Sequence, residues 1–308
     1  MPTLFEAAPG ITGIDTKLGG RATVTASYLV HAERPALVET GPTACQGELL
    51  AALEQLGVGR DDLAHVVVSH IHIDHAGGAG ALSALFPNAT IWAHERGARH
   101  LVDPTRLVAS TIRTYGEQKV ATMFGPTLPV SSDRIRSLTD RTAIDLGDRK
   151  LEALDAPGHA SHEIFLVDRA TDSLFTGDGF GIFLPDVGLL RPASPAPEFD
   201  LEQAVASIEH ARAQCPSRLL FSHFGPVDAV EATCDLAIER LRAWTAAVRR
   251  ALESGVPAEE AGQTLRAETA EETAAALAAG LDVGRYEFLS SFDVNAAGIV
   301  RYLTKRSA

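Results

Sequence analysis

Ten residues, Ser69-His70-Ile71-His72-Ile73-Asp74-His75-Ala76-Gly77-Gly78, constrain this chain more than any other stretch. They follow a β-branched apolar run, His65-Val66-Val67-Val68, that reads as a buried strand, and they precede a segment of helical character from Ala79 to Phe86. At a strand end, residues i and i+2 project to the same side, so His70 and His72 can converge on one ion. The chain then turns, carrying Asp74 and His75 to another face of the same place, where they can hold a second ion. Gly77 and Gly78 are expected to remove bulk where the next helix approaches the ions. Imidazole and carboxylate without thiolate suit zinc, and also manganese, cobalt or ferrous iron. Helix capping by Asp74 would explain one of these four side chains and leave three histidines without a reason.

Such a site needs ligands from further along the chain. His159 stands in Ala156-Pro157-Gly158-His159, Asp178 in Thr176-Gly177-Asp178-Gly179, and His223 after Leu219-Leu220-Phe221-Ser222. Each follows a strand candidate, so all three would emerge at the rim of a sheet, where sites accumulate in α/β folds. His162 is placed equally well on the surface or beside a substrate. His94 reads as a helix-start residue, and His31, His65, His100 and His210 have no companions.

Elsewhere, strands interleave with helices up to about residue 180, the alternation of a layered α/β domain. Ala36-Leu37-Val38-Glu39 and Thr90-Ile91-Trp92-Ala93 read as strands. Glu95 to Gln118 reads as two helices broken at Asp103-Pro104. Strand candidates at Ala143–Leu146, Lys150–Leu154, Glu163–Val167 and Ser173–Phe175 point to a second sheet. Phe180 to Pro197 reads as a long ordered loop, and a helix from Asp200 to Ala213 precedes a strand at Arg218–Phe221. The composition turns to Ala, Glu, Arg and Leu near Asp228. The division expected is therefore a catalytic domain over 1–227 and a helical region over 228–308.

With 40 acidic against 27 basic residues and a net charge of -13, the chain repels phosphate backbones and anionic lipid heads. Neither nucleic acid nor membrane is an expected partner. No stretch approaches the roughly 20 apolar residues of a spanning helix, and the expected location is cytoplasmic. Cys45, Cys215 and Cys234 are scattered and read as small buried hydrophobes. Leu281, Val283, Phe288 and Leu289 leave apolar surface that a homodimer could cover.

The order His70-x-His72-x-Asp74-His75, His159, Asp178, His223 resembles the metallo-β-lactamase fold superfamily over roughly residues 20 to 225. The resemblance implies an αββα sandwich with a C-terminal helical extension and two divalent metal ions, zinc foremost. It implies that His70, His72 and His159 hold one ion, that Asp74, His75 and His223 hold the other, and that Asp178 bridges them. The implied activity is hydrolysis of a small ester, lactone or thioester by a metal-bridging hydroxide, with Asp74 guiding the proton and Asp178 fixing the metals.

Among the branches, glyoxalase II and acyl-homoserine lactonases are the most similar, although Gly181 stands where such lactonases often carry tyrosine. Glu39 stands where many relatives have Asp, a candidate to orient a ligand imidazole. Met123, Phe124, Leu128, Phe180, Phe183 and Leu184 would offer apolar walls to an acyl group. Two other readings remain: a single-iron oxygenase like the persulfide dioxygenases, and a metal-containing binding or regulatory protein with little turnover.

Overall fold

The computed structural model describes residues 1–184 and 186–307; Pro185 of the expected loop and Ala308 of the helical region lie outside the described residues. Two sheets carry the architecture. The first runs in sequence order through β1 (Thr3–Ala8), β2 (Ile11–Asp15), β3 (Ala26–Val30), β4 (Ala36–Val38), β5 (His65–Val67), β6 (Thr90–His94) and β7 (Ile135–Leu138). Its first four strands are antiparallel neighbours, whereas β4 to β7 are parallel. The second sheet contains β8 (Ala143–Asp145), β9 (Lys150–Asp155), β10 (Ile164–Asp168) and β11 (Ser173–Phe175). A separate hairpin, β12 (Ile182–Leu184) and β13 (Leu189–Arg191), follows, before β14 (Arg218–Phe221) and β15 (Gly225–Val227) complete the second sheet in the order β15-β14-β11-β10-β9-β8.

Side-chain alternation along β10 shows how the layers are built, since successive residues of a strand face opposite ways. Ile164 and Leu166 join the core shared with the first sheet, while Phe165 and Val167 join a second core against the C-terminal helices. A strand covered on both faces is apolar except where a polar end finds partners: every residue of β10 is buried, and its last, Asp168, is paired with Arg149. The first sheet is covered by α1 (Gln46–Gln55), whose Leu49 and Leu53 enter its core, and by α3 (Ala79–Leu85) through Leu82. The short α2 (Ile73–Ala76) lies between them. Beyond β6 come α4 (Glu95–Val102), α5 (Thr105–Tyr115) and α6 (Glu117–Met123). The second core is built with α7 (Leu201–Arg212), α8 (Val230–Glu253), α9 (Ala261–Glu268) and α12 (Phe292–Ser307), with α10 (Ala270–Ala278) and α11 (Gly284–Leu289) between the last two. The fold is a mixed α/β sandwich with a helical C-terminal part.

Several expectations change. The segment 95–118 opens three helices, because Gly116 at φ +82 breaks the run a second time after Pro104. The expected loop from Phe180 contains the β12–β13 hairpin. Cys45 and Cys234 are buried as expected, but Cys215 is exposed, at φ +53 in the turn after α7.

Candidate metal centre

Four strands of the two sheets end at one place. The loop after β5 carries His70 and His72, and α2 carries Asp74 and His75; His159 follows β9, Asp178 follows β11, and His223 follows β14. Backbone bonds fix this convergence across the sheets: Ile164 N–H donates to Ser69 O at 2.9 Å, and Ala26 N–H to Ser222 O at 2.8 Å. The α2 turn is held from the first sheet, since both the N–H and Oγ1 of Thr40 donate to His75 O at 2.8 Å. Gly77 and Gly78 serve a different purpose from the one expected. A Cβ on Gly77 would lie 2.4 Å from Ile73 O, and one on Gly78 would lie 2.3 Å from Gln46 Nε2 and 2.9 Å from Gly41 O. They allow close packing within α2 and against the Gly41 loop; the metal side does not require them.

All seven expected side chains meet, in overlapping groups. His72 Nδ1 lies 3.0 Å from His70 Nε2 and 2.9 Å from His159 Nε2. In the second group, His75 Nε2 and His223 Nε2 are 3.1 Å apart, and each is 3.7 Å from Asp74 Oδ2. Asp178 joins both: its Oδ1 is 3.3 Å from His75 Nε2 and 3.2 Å from His223 Nε2, while its Oδ2 is 3.6 Å from His159 Nε2. Ligands about 2.0–2.1 Å from a tetrahedral zinc would be about 3.3 Å from one another. The observed separations have that scale.

The outer ring nitrogens decide which atoms face inward. His159 Nδ1–H donates to Ala193 O at 2.9 Å and His223 Nδ1–H to Val24 O at 2.9 Å, which leaves each Nε2 with its lone pair turned to the cluster. His75 Nδ1 faces Glu39 Oε1 at 3.3 Å, and His70 Nδ1 is 3.0 Å from Ser69 Oγ. Lone pairs and carboxylate oxygens thus crowd one point, with the buried Asp178 Oδ1 lacking any hydrogen-bond donor. This acceptor set fits divalent cations. By itself the cluster draws a proton: burial lowers the affinity of His75 for it, but Asp178, Asp74 and Glu39 outweigh burial and hold the imidazole well above its ordinary range. Burial and the neighbouring imidazoles push His70 and His72 well below it. Burial raises Asp178, yet the facing His75 and His223 prevail and keep its carboxyl well below the usual carboxylate range.

Two participants escaped the sequence reading. Glu163, buried immediately before β10, accepts the Asp178 N–H at 2.6 Å and approaches His70 Nδ1 to 4.0 Å. Its only sequence signal is an acid immediately before the apolar run Ile164-Phe165-Leu166-Val167. Tyr115, at the end of α5, lines the pocket over the cluster, and burial pushes its phenol up. That pocket, about 100 Å³, is bounded by Asp74, Phe124, Ile182, Pro195 and Leu289. Of the six apolar residues expected to line it, Phe124 does. Met123, Phe180 and Leu184 are buried in the cores, Phe183 packs on Phe221, and Leu128 is 45% exposed. Within β12, alternation turns Phe183 away from the pocket that Ile182 lines, while Phe180 and Leu184 are taken up by packing in the cores. His94 caps α4, its Nδ1 accepting Arg96 N–H at 3.1 Å. His162 is buried, beside the cluster.

Comparison with known proteins agrees with this geometry. The family described as the metallo-beta-lactamase superfamily matches residues 20–223. The metallo-beta-lactamase fold-containing protein ST1585 of Sulfurisphaera tokodaii is 26% identical over 194 residues, 59% of this chain and 71% of that protein. The human acyl-coenzyme A thioesterase MBLAC2 is 27% identical over 122 residues, covering 36% of this chain and 39% of the relative. The crystal structure of the metallo-beta-lactamase family protein TTHA1429 from Thermus thermophilus superposes with a TM-score of 0.68 at 18% identity, covering 97% of this chain and 95% of that one.

Proposed function

We propose, from the premise that the chain belongs to the metallo-beta-lactamase superfamily, that it is a two-metal hydrolase of a small ester, lactone or thioester. The observation that carries this reading is Asp178, whose two carboxylate oxygens face two different imidazole groups. His70, His72 and His159 would hold one cation, Asp74, His75 and His223 the other, and Asp178 both. Bound there, a pair of divalent cations supplies a water acidified toward neutral pH and a Lewis acid for a carbonyl oxygen. The relative named as an acyl-coenzyme A thioesterase supports a carbonyl substrate, and the complete second group weighs against a single-iron centre.

The chain's own residues do the rest. Asp74, open to the pocket with a side chain 19% exposed, receives the proton released as water attacks the carbonyl carbon and passes it to the alkoxide or thiolate that departs when the acyl C–O or C–S bond breaks. Tyr115 presents a protonated phenol to the same space and can donate to the carbonyl oxygen as it gains charge. Phe124, Ile182 and Leu289 give the acyl part an apolar wall and keep bulk water out. Elemental analysis of the purified protein, paired with turnover of lactones, thioesters, aryl esters and phosphodiesters, tests this reading. Divalent metal and hydrolysis that are both lost in His72→Ala and Asp178→Ala are expected. Turnover surviving in a metal-free variant would overturn it.

A further inference from the structure

Beside the metal pocket, an otherwise acidic chain gathers positive charge. On α4, Arg96, Arg99 and His100 recur at i, i+3 and i+4; on α5, Arg106, Ser110 and Arg113 recur at i, i+4 and i+7. Such spacing puts each set on one helical face. The four arginines line one groove of about 390 Å³ together with His72 and His162. Among the described residues, none of the four guanidinium groups lies within 4.0 Å of a carboxylate. Arg96 donates to Ser161 O at 3.2 Å and Arg99 to His100 Nε2 at 3.2 Å, both uncharged acceptors. One carboxylate, Glu198, also lines the groove, where it accepts Ser161 N–H at 2.7 Å and faces His162 Nε2 at 3.8 Å, so four guanidinium groups stand against one acid; Asp103 accepts from Thr105.

The groove is continuous with the proposed reaction pocket, because His72, Leu107, Ser110 and Pro197 line both. Guanidinium groups pair with phosphate and carboxylate through parallel hydrogen bonds, and a positive cleft on a chain of net charge -13 focuses anions that the remaining surface repels. His162 adds a buried Nδ1 without a hydrogen-bond partner at the junction of groove and cluster.

We infer that this groove binds an anionic group of the substrate, a phosphate or a carboxylate, while the scissile carbonyl occupies the metal pocket. The inference rests on the hydrolase reading for the word substrate, and on the arginine groove alone for anion binding. It makes the preferred substrate an ester or thioester with a charged handle.

The test is a matched set of thioesters sharing one acyl group, with the distal end neutral, carboxylated or phosphorylated, hydrolysed by wild type and by Arg106→Ala/Arg113→Ala. Both side chains are exposed, and thermal unfolding and metal content establish that the variant is intact. The expected result is a kcat/KM at least tenfold higher for an anionic member than for the neutral one, a ratio that falls toward one in the variant and with added salt. The carboxylate and phosphate arms identify which anion the groove prefers. A wild-type ratio near one, or a ratio unchanged by the double substitution, overturns the proposal while leaving the hydrolase reading intact. Should no member be hydrolysed, that reading fails on its own, and calorimetry with inorganic phosphate and a small dicarboxylate still decides the groove. Affinity about tenfold or more weaker in the variant sustains it, and equal affinity removes it.

Discussion

Nδ1 of His75 lies 3.3 Å from Oε1 of Glu39, with both side chains buried, and Glu39 reaches it from a backbone held at φ +64. A non-glycine residue there costs on the order of 1 kcal/mol, which the fold sustains with Ser222 Oγ and Ser69 N–H donating to the same carboxylate at 3.0 and 3.4 Å. Carboxylates that orient a ligand imidazole strengthen cation binding about 10–100-fold. Glu39→Gln keeps the shape and loses the charge, so calorimetric titration with Zn²⁺ should show affinity weakened by that factor. Unchanged affinity would deny Glu39 this orienting role.

Acid should destabilise the chelator-treated protein. Burial holds His70, His72 and His159 below 6.5, the ordinary imidazole value, and pushes His162 down to about 4. The unfolded chain takes up protons at these positions once pH drops below about 6.5, whereas the folded chain resists. Their contribution to stability is therefore present above about 6.5 and is lost as pH falls through the folded values. His75, raised by its carboxylates, has the opposite sign, its contribution lasting below 6.5 and lost as pH rises through its folded value. Glu163, raised well above the usual carboxylate range by burial, acts in the same direction as His75, and these two against four lowered imidazoles leave the acid loss dominant. Thermal scans between about pH 7.5 and 5 should give a falling Tm, and a flat profile would contradict the assignment.

Gly158 sets His159 in place. Its φ is +146, and an added Cβ would lie 2.3 Å from Ala204 Cα and 2.4 Å from Ala204 N, so the turn presses on α7. Gly158→Ala combines backbone strain with a clash against main chain, together about 3 kcal/mol. Differential scanning calorimetry should find Tm lower by about 5 °C, accompanied by reduced metal uptake.

Tyr115→Phe removes a hydroxyl from the pocket without touching the seven clustered side chains. If the phenol donates to the carbonyl oxygen as charge develops, kcat should fall about tenfold or more, with metal content and Tm unchanged. A variant as fast as wild type would leave Tyr115 as a wall of the pocket only.

The seven side chains were legible because their logic is local: each sits just past an apolar strand, and strand ends on a shared rim are close in space whatever their separation in sequence. Glu163 was not legible, since a single acid at the head of β10 looks like any strand boundary, and only the fold places it under the Asp178 amide. The pocket walls were misread for a related reason. A cluster of apolar residues such as Phe180, Phe183 and Leu184 says that something is to be covered, but not whether by a core or by a ligand; packing draws these three into or against the cores and leaves Ile182 at the pocket. Strands β1 to β3 and β7 carried too weak a pattern to be singled out, and they enter the fold as partners of more apolar neighbours.

Each group of candidate ligands draws from both halves of the sandwich: His70 and His72 from the first sheet with His159 from the second, Asp74 and His75 from the first with Asp178 and His223 from the second. Any ion seated there is a rivet through two plates. Pulling it should loosen both plates together, so that stripping metal registers in the two sheets at once, in weaker amide protection along β4 and β10 alike.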